Sequence, residues 1–167
     1  MDYSKRKNMR LPGFDYGQAG GYYITICTHD RACILSRVLE SKENQRAKVQ
    51  LTELGIITEK VLCQLAEQYG VCLDAWTIMP NHIHMVLTIE NNGEIKPMPV
   101  GRFVGAFKSI VSNQWQKECA RQGITMGKLW QRNFYDHIIR NEADYLEKLR
   151  YIDENPDKWS MDEMYGL

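Results

Sequence analysis

Two histidines, His82 and His84, are separated by one residue in a segment of alternating polar and apolar side chains. In a β-strand, residues two positions apart leave the same face, about 6.5–7 Å apart along the chain. Two imidazoles at that spacing can converge on one divalent metal ion. A strand-borne His-x-His by itself is a weak signal for a metal, because histidines more often satisfy themselves on backbone carbonyls.

A second group of reactive side chains lies near the C-terminus, where Tyr151 is followed four residues later by Asn155. On a helix, two residues at this spacing project from one face. A phenol nucleophile would then lie beside a neutral amide ligand, whereas the alternative is a surface tyrosine lying over its neighbours. Pro156 disfavours helical dihedral angles at Asn155, which predicts loose geometry at this helix end.

Together these residues form a possible site for phosphodiester chemistry. Two imidazoles and an amide bring no negative charge, so a bound Mg²⁺ or Mn²⁺ keeps its full charge for a phosphate diester. Tyr151 would attack the phosphate in line, leaving a phosphotyrosine on one fragment and a free hydroxyl on the other. One phosphoester replaces another, so the step needs no ATP and can run backwards to rejoin strands.

The elements that must position these groups follow from periodicity and turn signals. The apolar pattern predicts the order β-α-β-β-α-β-α, with strands over 22–28, 72–79, 82–90 and 129–139, a helix over 53–69 capped by Thr52, a helix from Val100, and a last helix capped by Asn141. In the last helix, Tyr145, Leu146, Leu149 and Ile152 form an apolar stripe that excludes Tyr151. This order predicts an α+β, ferredoxin-like two-layer sandwich whose antiparallel sheet is covered by helices on one face.

Three segments carry a family resemblance. The run Met79-Pro80-Asn81-His82-Ile83-His84-Met85-Val86-Leu87 resembles the HUH motif (His, hydrophobic, His) of the HUH endonuclease superfamily. Residues 129–140, followed by 151–156, resemble the C-terminal half of REP-associated tyrosine transposases and other single-tyrosine HUH transposases. The segments 10–16 and 22–28 are also similar to the start of such proteins, so the resemblance spans nearly the whole chain.

The resemblance implies cleavage and rejoining of single-stranded DNA at hairpin-bearing repeats, with Mg²⁺ or Mn²⁺ and a covalent 5′-phosphotyrosine intermediate. His82 and His84, on a central strand, match the metal ligands. Tyr151, on a C-terminal helix, matches the nucleophile, and Asn155 matches the third ligand. The sequence departs from the family wording Tyr-Ile-x-x-Asn-Pro-Val-Lys in the pair Asp157-Lys158, where Asp stands in place of Val. Acidic residues at 153 and 154 are expected to weaken DNA affinity beside the site.

Charge is balanced overall but unevenly distributed along the chain. There are 21 basic and 21 acidic residues, yet residues 95–140 hold eight bases against Glu118 and Asp136. Such asymmetry can present a basic groove to a phosphate backbone, although unrelated solvated faces would give the same count. The predicted nucleic-acid contacts are Lys5, Arg6, Lys7, Arg102, Lys108, Trp130, Arg132, His137 and Arg140. For His137, a core or hydrogen-bonded role is the alternative.

Length and composition bound the remaining possibilities. A chain of 167 residues, 44% hydrophobic and 25% charged, is typical of one globular domain, here taken as 1–167 with a basic N-terminal arm over 1–20. The longest apolar runs are too short to span a bilayer, which predicts a cytoplasmic protein without a membrane partner. Five cysteines without a C-x-x-C pair are interpreted as reduced thiols packed in the core.

Alternatives to the enzyme remain at this level. A domesticated, non-catalytic module that binds DNA or RNA hairpins would use the same basic groove, and a metal-binding regulatory protein would have no nucleic-acid affinity. The sequence also leaves open whether the chain works as a monomer or a homodimer, with the tyrosine acting in cis or in trans.

Overall fold

A central antiparallel sheet organises the molecule. The computed structural model describes residues 19–39, 46–90 and 98–161. The strands are β1 (Gly20–Cys27), β2 (Ser36–Leu39), β3 (Lys48–Leu51), β4 (Val71–Ile78), β5 (His82–Ile89) and β6 (Tyr135–Ile139). The α-helices are α1 (Glu53–Gln68), α2 (Val100–Arg121) and α3 (Glu142–Glu154).

The main sheet has the strand order β4-β5-β1-β6, and each neighbouring pair is antiparallel. This is the strand order of a ferredoxin-like fold, so the predicted fold class is confirmed. The histidine strand β5 lies between β4 and β1, which confirms its central position. The register places Thr25 of β1 and Thr77 of β4 on either side of His84.

One face of the sheet carries the main core. Alternate residues of β1 and β5 point to this face and pack against the buried stripes of α1 and α2, including Ile24, Met85, Leu62, Phe103 and Phe107. The predicted alternation along β5 is therefore confirmed, since Ile83, Met85 and Leu87 enter the main core. Burial of this stripe supplies the principal apolar contribution to folding.

The opposite face is covered by α3, and here the expectation of helices on one face was wrong. Ile152 of α3 packs with Tyr23 and Val86 in a second apolar cluster, to which Tyr145 and Leu149 add partly buried surface. Sequence periodicity identifies the buried stripe of a helix but not the side of the sheet on which the helix lies. Leu146, predicted on the stripe, is exposed.

The helix ends follow local rules. The side chain of Thr52 accepts a hydrogen bond from the Gly55 amide at the start of α1, and Asn141 accepts from the Asp144 amide at the start of α3. Gly70 follows α1 with φ +60°, a conformation that suits glycine. Gly55 is needed for a different reason, because a Cβ there would lie 2.1 Å from the Leu35 carbonyl oxygen.

Two elements differ from the predicted order. β2 and β3 form a separate two-stranded antiparallel pair that the apolar pattern did not reveal, because each strand has only four residues and two of the four are polar. The last strand begins at Tyr135 instead of Leu129. In the first part of the predicted strand, Trp130 forms an isolated β-bridge with Thr28.

The cysteine interpretation was only partly right. All five thiols are free, but Cys33, Cys63 and Cys72 are exposed, and only Cys119 is buried. Within the described ranges, no helix has the length and apolar character to cross a membrane.

Candidate active site

The two histidines lie side by side on the sheet face that α3 covers. His82 is fully buried, His84 is 2% exposed, and their ring centroids are 4.5 Å apart. The Nε2 atoms of both rings are buried. The structure thus brings the predicted pair together, with both rings removed from bulk water.

The Nδ1 atoms of the two rings form hydrogen bonds with neighbouring side chains. Nδ1 of His82 lies 2.8 Å from Oδ1 of Asn81, and because an amide oxygen only accepts, the ring donates. Nδ1 of His84 lies 2.7 Å from the Tyr23 hydroxyl and 2.8 Å from the Thr25 hydroxyl. These side-chain contacts engage Nδ1 of each ring, so Nε2 is the ring nitrogen that faces away from them.

Burial, followed by the neighbouring His82 ring, lowers the pKa of His84 well below its ordinary value. Both effects favour the neutral form of the ring. A neutral imidazole carries the lone pair that binds a metal ion.

The helix α3 places the predicted tyrosine against this pair and buries the predicted asparagine one turn further on. The rings of Tyr151 and His84 meet edge to face, with centroids 5.3 Å apart, and the tyrosine remains 46% exposed. Asn155 is 3% exposed, and its Oδ1 atom is buried. Contrary to the expected loosening by Pro156, Asn155 keeps helical angles, φ −57° and ψ −42°. The i, i+4 relation to Tyr151 is therefore retained.

These donors suit a divalent cation. The Nε2 atom of His84 is buried and makes no hydrogen bond within the described part of the chain, which is costly unless another group binds it. In the same described part, no three His, Cys, Asp or Glu side chains are grouped to hold a metal ion. A metal here would be held by His82, His84 and the amide oxygen of Asn155, with further positions left for water or phosphate.

Two aromatic residues of the site were missed by the sequence reasoning. Tyr23 stacks on His84 with a centroid distance of 5.4 Å and meets Tyr151 edge to face at 6.1 Å. Trp159, just after α3, lies 5.9 Å from His82, measured between ring centroids. The spacing of Tyr23 and Thr25 placed them on one face of β1, but only the register shows that this face meets the histidines.

The acids beside the site have structural partners. Arg46 forms a bidentate pair with Asp153, at 2.9 and 2.7 Å, and the Ala47 amide donates to Asp157 at 2.6 Å. Glu154 pairs with Lys158 one turn later. These contacts tie the end of α3 to the segment that enters β3, and they partly neutralise the charge that was expected to weaken DNA affinity.

The predicted nucleic-acid contacts fall into three groups. Lys5, Arg6 and Lys7 lie outside the described residues. Arg102, Arg132 and Arg140 are exposed. Lys108, Trp130 and His137 make contacts within the protein.

Lys108 is held by the backbone. Its Nζ donates to the carbonyl oxygens of Gln131 at 2.9 Å and Asn133 at 3.1 Å, with that of Arg132 at 3.5 Å. Burial lowers the pKa of Lys108 to about 8. These contacts give Lys108 a structural role in shaping the segment before β6.

Trp130 and His137 also have partners inside the fold. Trp130 packs on Phe107 of the main core, with ring centroids 6.0 Å apart. Nε2 of His137 lies 2.8 Å from a carboxylate oxygen of Asp144, which agrees with the hydrogen-bonded role named as the alternative to DNA contact. This contact lowers the pKa of Asp144. DNA contacts by any of the nine residues remain predictions.

Fold and site together define a class of protein: a ferredoxin-like domain with a histidine pair on a central strand and a tyrosine on a helix packed over that pair. The family model described as "Transposase IS200 like" matches residues 22–155, which include all four candidate site residues. The chain belongs to this IS200-like transposase family.

Individual proteins also resemble this chain in sequence or in fold. The chain is 30% identical to an uncharacterized protein of Haemophilus influenzae, over 96% of this chain and 93% of the other. It is 24% identical to a REP-associated tyrosine transposase of Escherichia coli K12, over 69% of this chain and 61% of the other. A solved structure of a REP-associated tyrosine transposase bound to a REP hairpin has the same fold, with a TM-score of 0.59 and 18% identity, over 92% of this chain and 76% of the other.

Proposed function

We propose that this chain is a metal-dependent endonuclease and strand transferase that acts on single-stranded DNA at hairpin-bearing repeats through a covalent 5′-phosphotyrosine. The observation that carries the proposal is the placement of a half-exposed Tyr151 directly against His84, with Asn155 buried one turn further on. A tyrosine that serves only to fill the core would be buried, and a tyrosine that lies only on the surface would not contact buried histidines. Tyr151 is half-exposed and contacts His84.

In the proposed reaction, the Tyr151 oxygen attacks the scissile phosphorus. A bond forms between the phenol oxygen and phosphorus, and the bond from phosphorus to the 3′ oxygen breaks. The upstream fragment leaves as a 3′-hydroxyl after taking up a proton, and the phenol proton passes to water, which reaches the exposed part of Tyr151. The number of phosphoesters does not change, so a 3′-hydroxyl can reverse the step and join strands.

Mg²⁺ or Mn²⁺, held by His82, His84 and Asn155, would polarise the phosphate and offset its negative charge. The neutral donors suit this role because they do not cancel the charge of the ion. His82 and His84 are held by the sheet, whereas Asn155 arrives on α3 together with Tyr151. Docking of α3 would therefore bring the third ligand and the nucleophile to the two histidines together.

The hairpin substrate is inferred from the family. A relative of the same fold is described as bound to a REP hairpin. In this chain three exposed arginines offer positive charge for a phosphate backbone: Arg102, Arg132 and Arg140. The described residues form the histidine and tyrosine parts of the site within one chain, which supports a tyrosine acting in cis.

The test compares the wild type, Tyr151→Phe and Tyr135→Phe on single-stranded hairpin DNA labelled at either end, with Mn²⁺, Mg²⁺ or EDTA. Tyr135→Phe is the matched control, because Tyr135 is also half-exposed and contacts Tyr23, at 6.5 Å between ring centroids. Denaturing gels should show a metal-dependent adduct with the 3′ fragment for the wild type and Tyr135→Phe only.

Two outcomes would overturn parts of the proposal. An adduct that persists in Tyr151→Phe would assign the nucleophile to another residue. Binding of hairpins without any adduct in the three proteins would instead support the non-catalytic hairpin-binding module.

A further inference from the structure

Tyr23 connects the two halves of the candidate active site. It lies on β1, is 7% exposed, and its hydroxyl is 2.7 Å from Nδ1 of His84. Its ring stacks on His84, with an angle of 22° between the ring planes, and meets the ring of Tyr151 at 88°. One side chain thus contacts both a candidate metal ligand and the candidate nucleophile.

The hydrogen bonds at Nδ1 decide which nitrogen of each imidazole keeps its lone pair. A neutral imidazole carries one proton, so a ring that donates from Nδ1 has its lone pair on Nε2. Asn81 enforces this form at His82, since its amide oxygen accepts the Nδ1 proton. At His84 the hydroxyls of Tyr23 and Thr25 lie 2.7 and 2.8 Å from Nδ1; a hydroxyl can donate as well as accept, and either one can accept the Nδ1 proton.

We propose that Tyr23 is a positioning residue: with Thr25, it holds His84 in the form whose Nε2 lone pair faces the metal site, and its ring supports Tyr151. The inference rests on the proposed function, since it assigns a role toward the ion of that site. Asn81 performs the same orienting role for His82. Partners of this kind fix the ring orientation of metal-binding histidines and are worth about 10–100-fold in metal affinity.

The buried hydroxyl supports a role beyond packing. A phenylalanine would fill the same space on the sheet, whereas a buried phenol hydroxyl costs free energy unless it is hydrogen-bonded. Here that hydroxyl lies beside Nδ1 of His84, and whether Nδ1 carries the proton defines the tautomer of the ring. The adjacent Tyr22 faces the main core instead, so the two neighbouring tyrosines serve different sides of the sheet.

The first measurement is the tautomer of each histidine in the metal-free wild type, read from the ¹⁵N chemical shifts of the ring nitrogens. We expect protons on Nδ1 and lone pairs on Nε2 in both His82 and His84. A proton on Nε2 of His84 would overturn the inference without any variant being made. This readout needs neither DNA nor metal, so it separates the inference from the proposed function.

The second measurement is Mn²⁺ affinity by calorimetry for the wild type, Tyr23→Phe, Thr25→Val and the double variant, with Tyr135→Phe as control. The double variant should bind Mn²⁺ about 10–100-fold more weakly, each single variant less so, and the control like the wild type. Cleavage by Tyr23→Phe should recover as Mn²⁺ is raised, because a purely structural defect does not respond to metal.

Equal Mn²⁺ affinity of the wild type and a folded double variant would overturn the positioning role. Absence of Mn²⁺ binding by the wild type would count against the proposed function, while the ¹⁵N shifts would still decide the form of His84. If the double variant failed to fold, Tyr23→Phe alone and the wild-type shifts would carry the test.

Discussion

Replacing Ile152 with alanine tests how the tyrosine helix is held on the sheet. Ile152 is 4% exposed and is the buried residue of α3 in the second apolar cluster, beside Tyr23 and Val86. Its neighbours in the chain are Tyr151 and Asp153, so its docking sets the position of the nucleophile. This cluster is separate from the main core, and its loss should therefore act locally.

The size of the effect follows from the atoms removed. At about 0.8 kcal/mol for each of the three carbons beyond Cβ, the transfer contribution is about 2.4 kcal/mol, and a residual cavity raises the cost above this value, toward about 5 kcal/mol. Since about 1.4 kcal/mol corresponds to a factor of ten, docking of α3 should weaken at least roughly 50-fold. Leu146→Ala, which shortens a 50% exposed side chain of the same helix, should cost under about 0.5 kcal/mol.

Native-state hydrogen exchange measures this directly. In Ile152→Ala, amides of α3 should exchange roughly 50-fold faster, while those of β5 and α2 keep their wild-type rates. Formation of the covalent DNA adduct should fall in the same variant and not in Leu146→Ala. Unchanged exchange in α3 would refute the view that Ile152 holds the helix, and equal acceleration in every element would refute the separation of the two clusters.

Three further predictions concern Lys108 and Arg46. Lys108→Met should lower the midpoint of thermal unfolding, because it leaves the carbonyls of residues 131–133 without their donor; an unchanged midpoint with weaker DNA binding would instead support the phosphate contact. The pKa of Lys108 is about 8 in the folded protein against an ordinary 10.5, so between these values the unfolded chain binds more protons and wild-type stability should rise with pH relative to Lys108→Met. Denaturant titrations across that range would contradict this if the two proteins followed parallel curves. Arg46→Asp should reduce adduct formation, because it places like charges beside Asp153 and Asp157. The double variant Arg46→Asp, Asp153→Arg restores an opposite-charge pair and should recover part of that activity. Equal activity of the wild type, the single variant and the double variant would show that the contact does not position α3.

Features that depend on near neighbours in the chain were predictable from the sequence. The alternation of His82 and His84 with Ile83 and Met85 is a property of a strand with period two, and the structure confirms it. The caps at Thr52 and Asn141 follow from side chains that reach an amide three residues on. The relation of Tyr151 to Asn155 likewise needs only one turn of helix.

Register, helix side and long-range partners were decided by tertiary structure. Tyr23 and His84 are 61 residues apart in sequence, and only the pairing of β1 with β5 brings the hydroxyl to the imidazole. Lys108 was predicted to contact DNA because charge is visible in a sequence, whereas the carbonyls that hold it belong to a segment 23 residues away. The apolar stripe of α3 does not encode the side of the sheet, which was decided by where Val86 and Tyr23 left apolar surface for Ile152 to bury. Local periodicity therefore determined which residues were candidates for chemistry, and the packing of distant segments determined which of them meet.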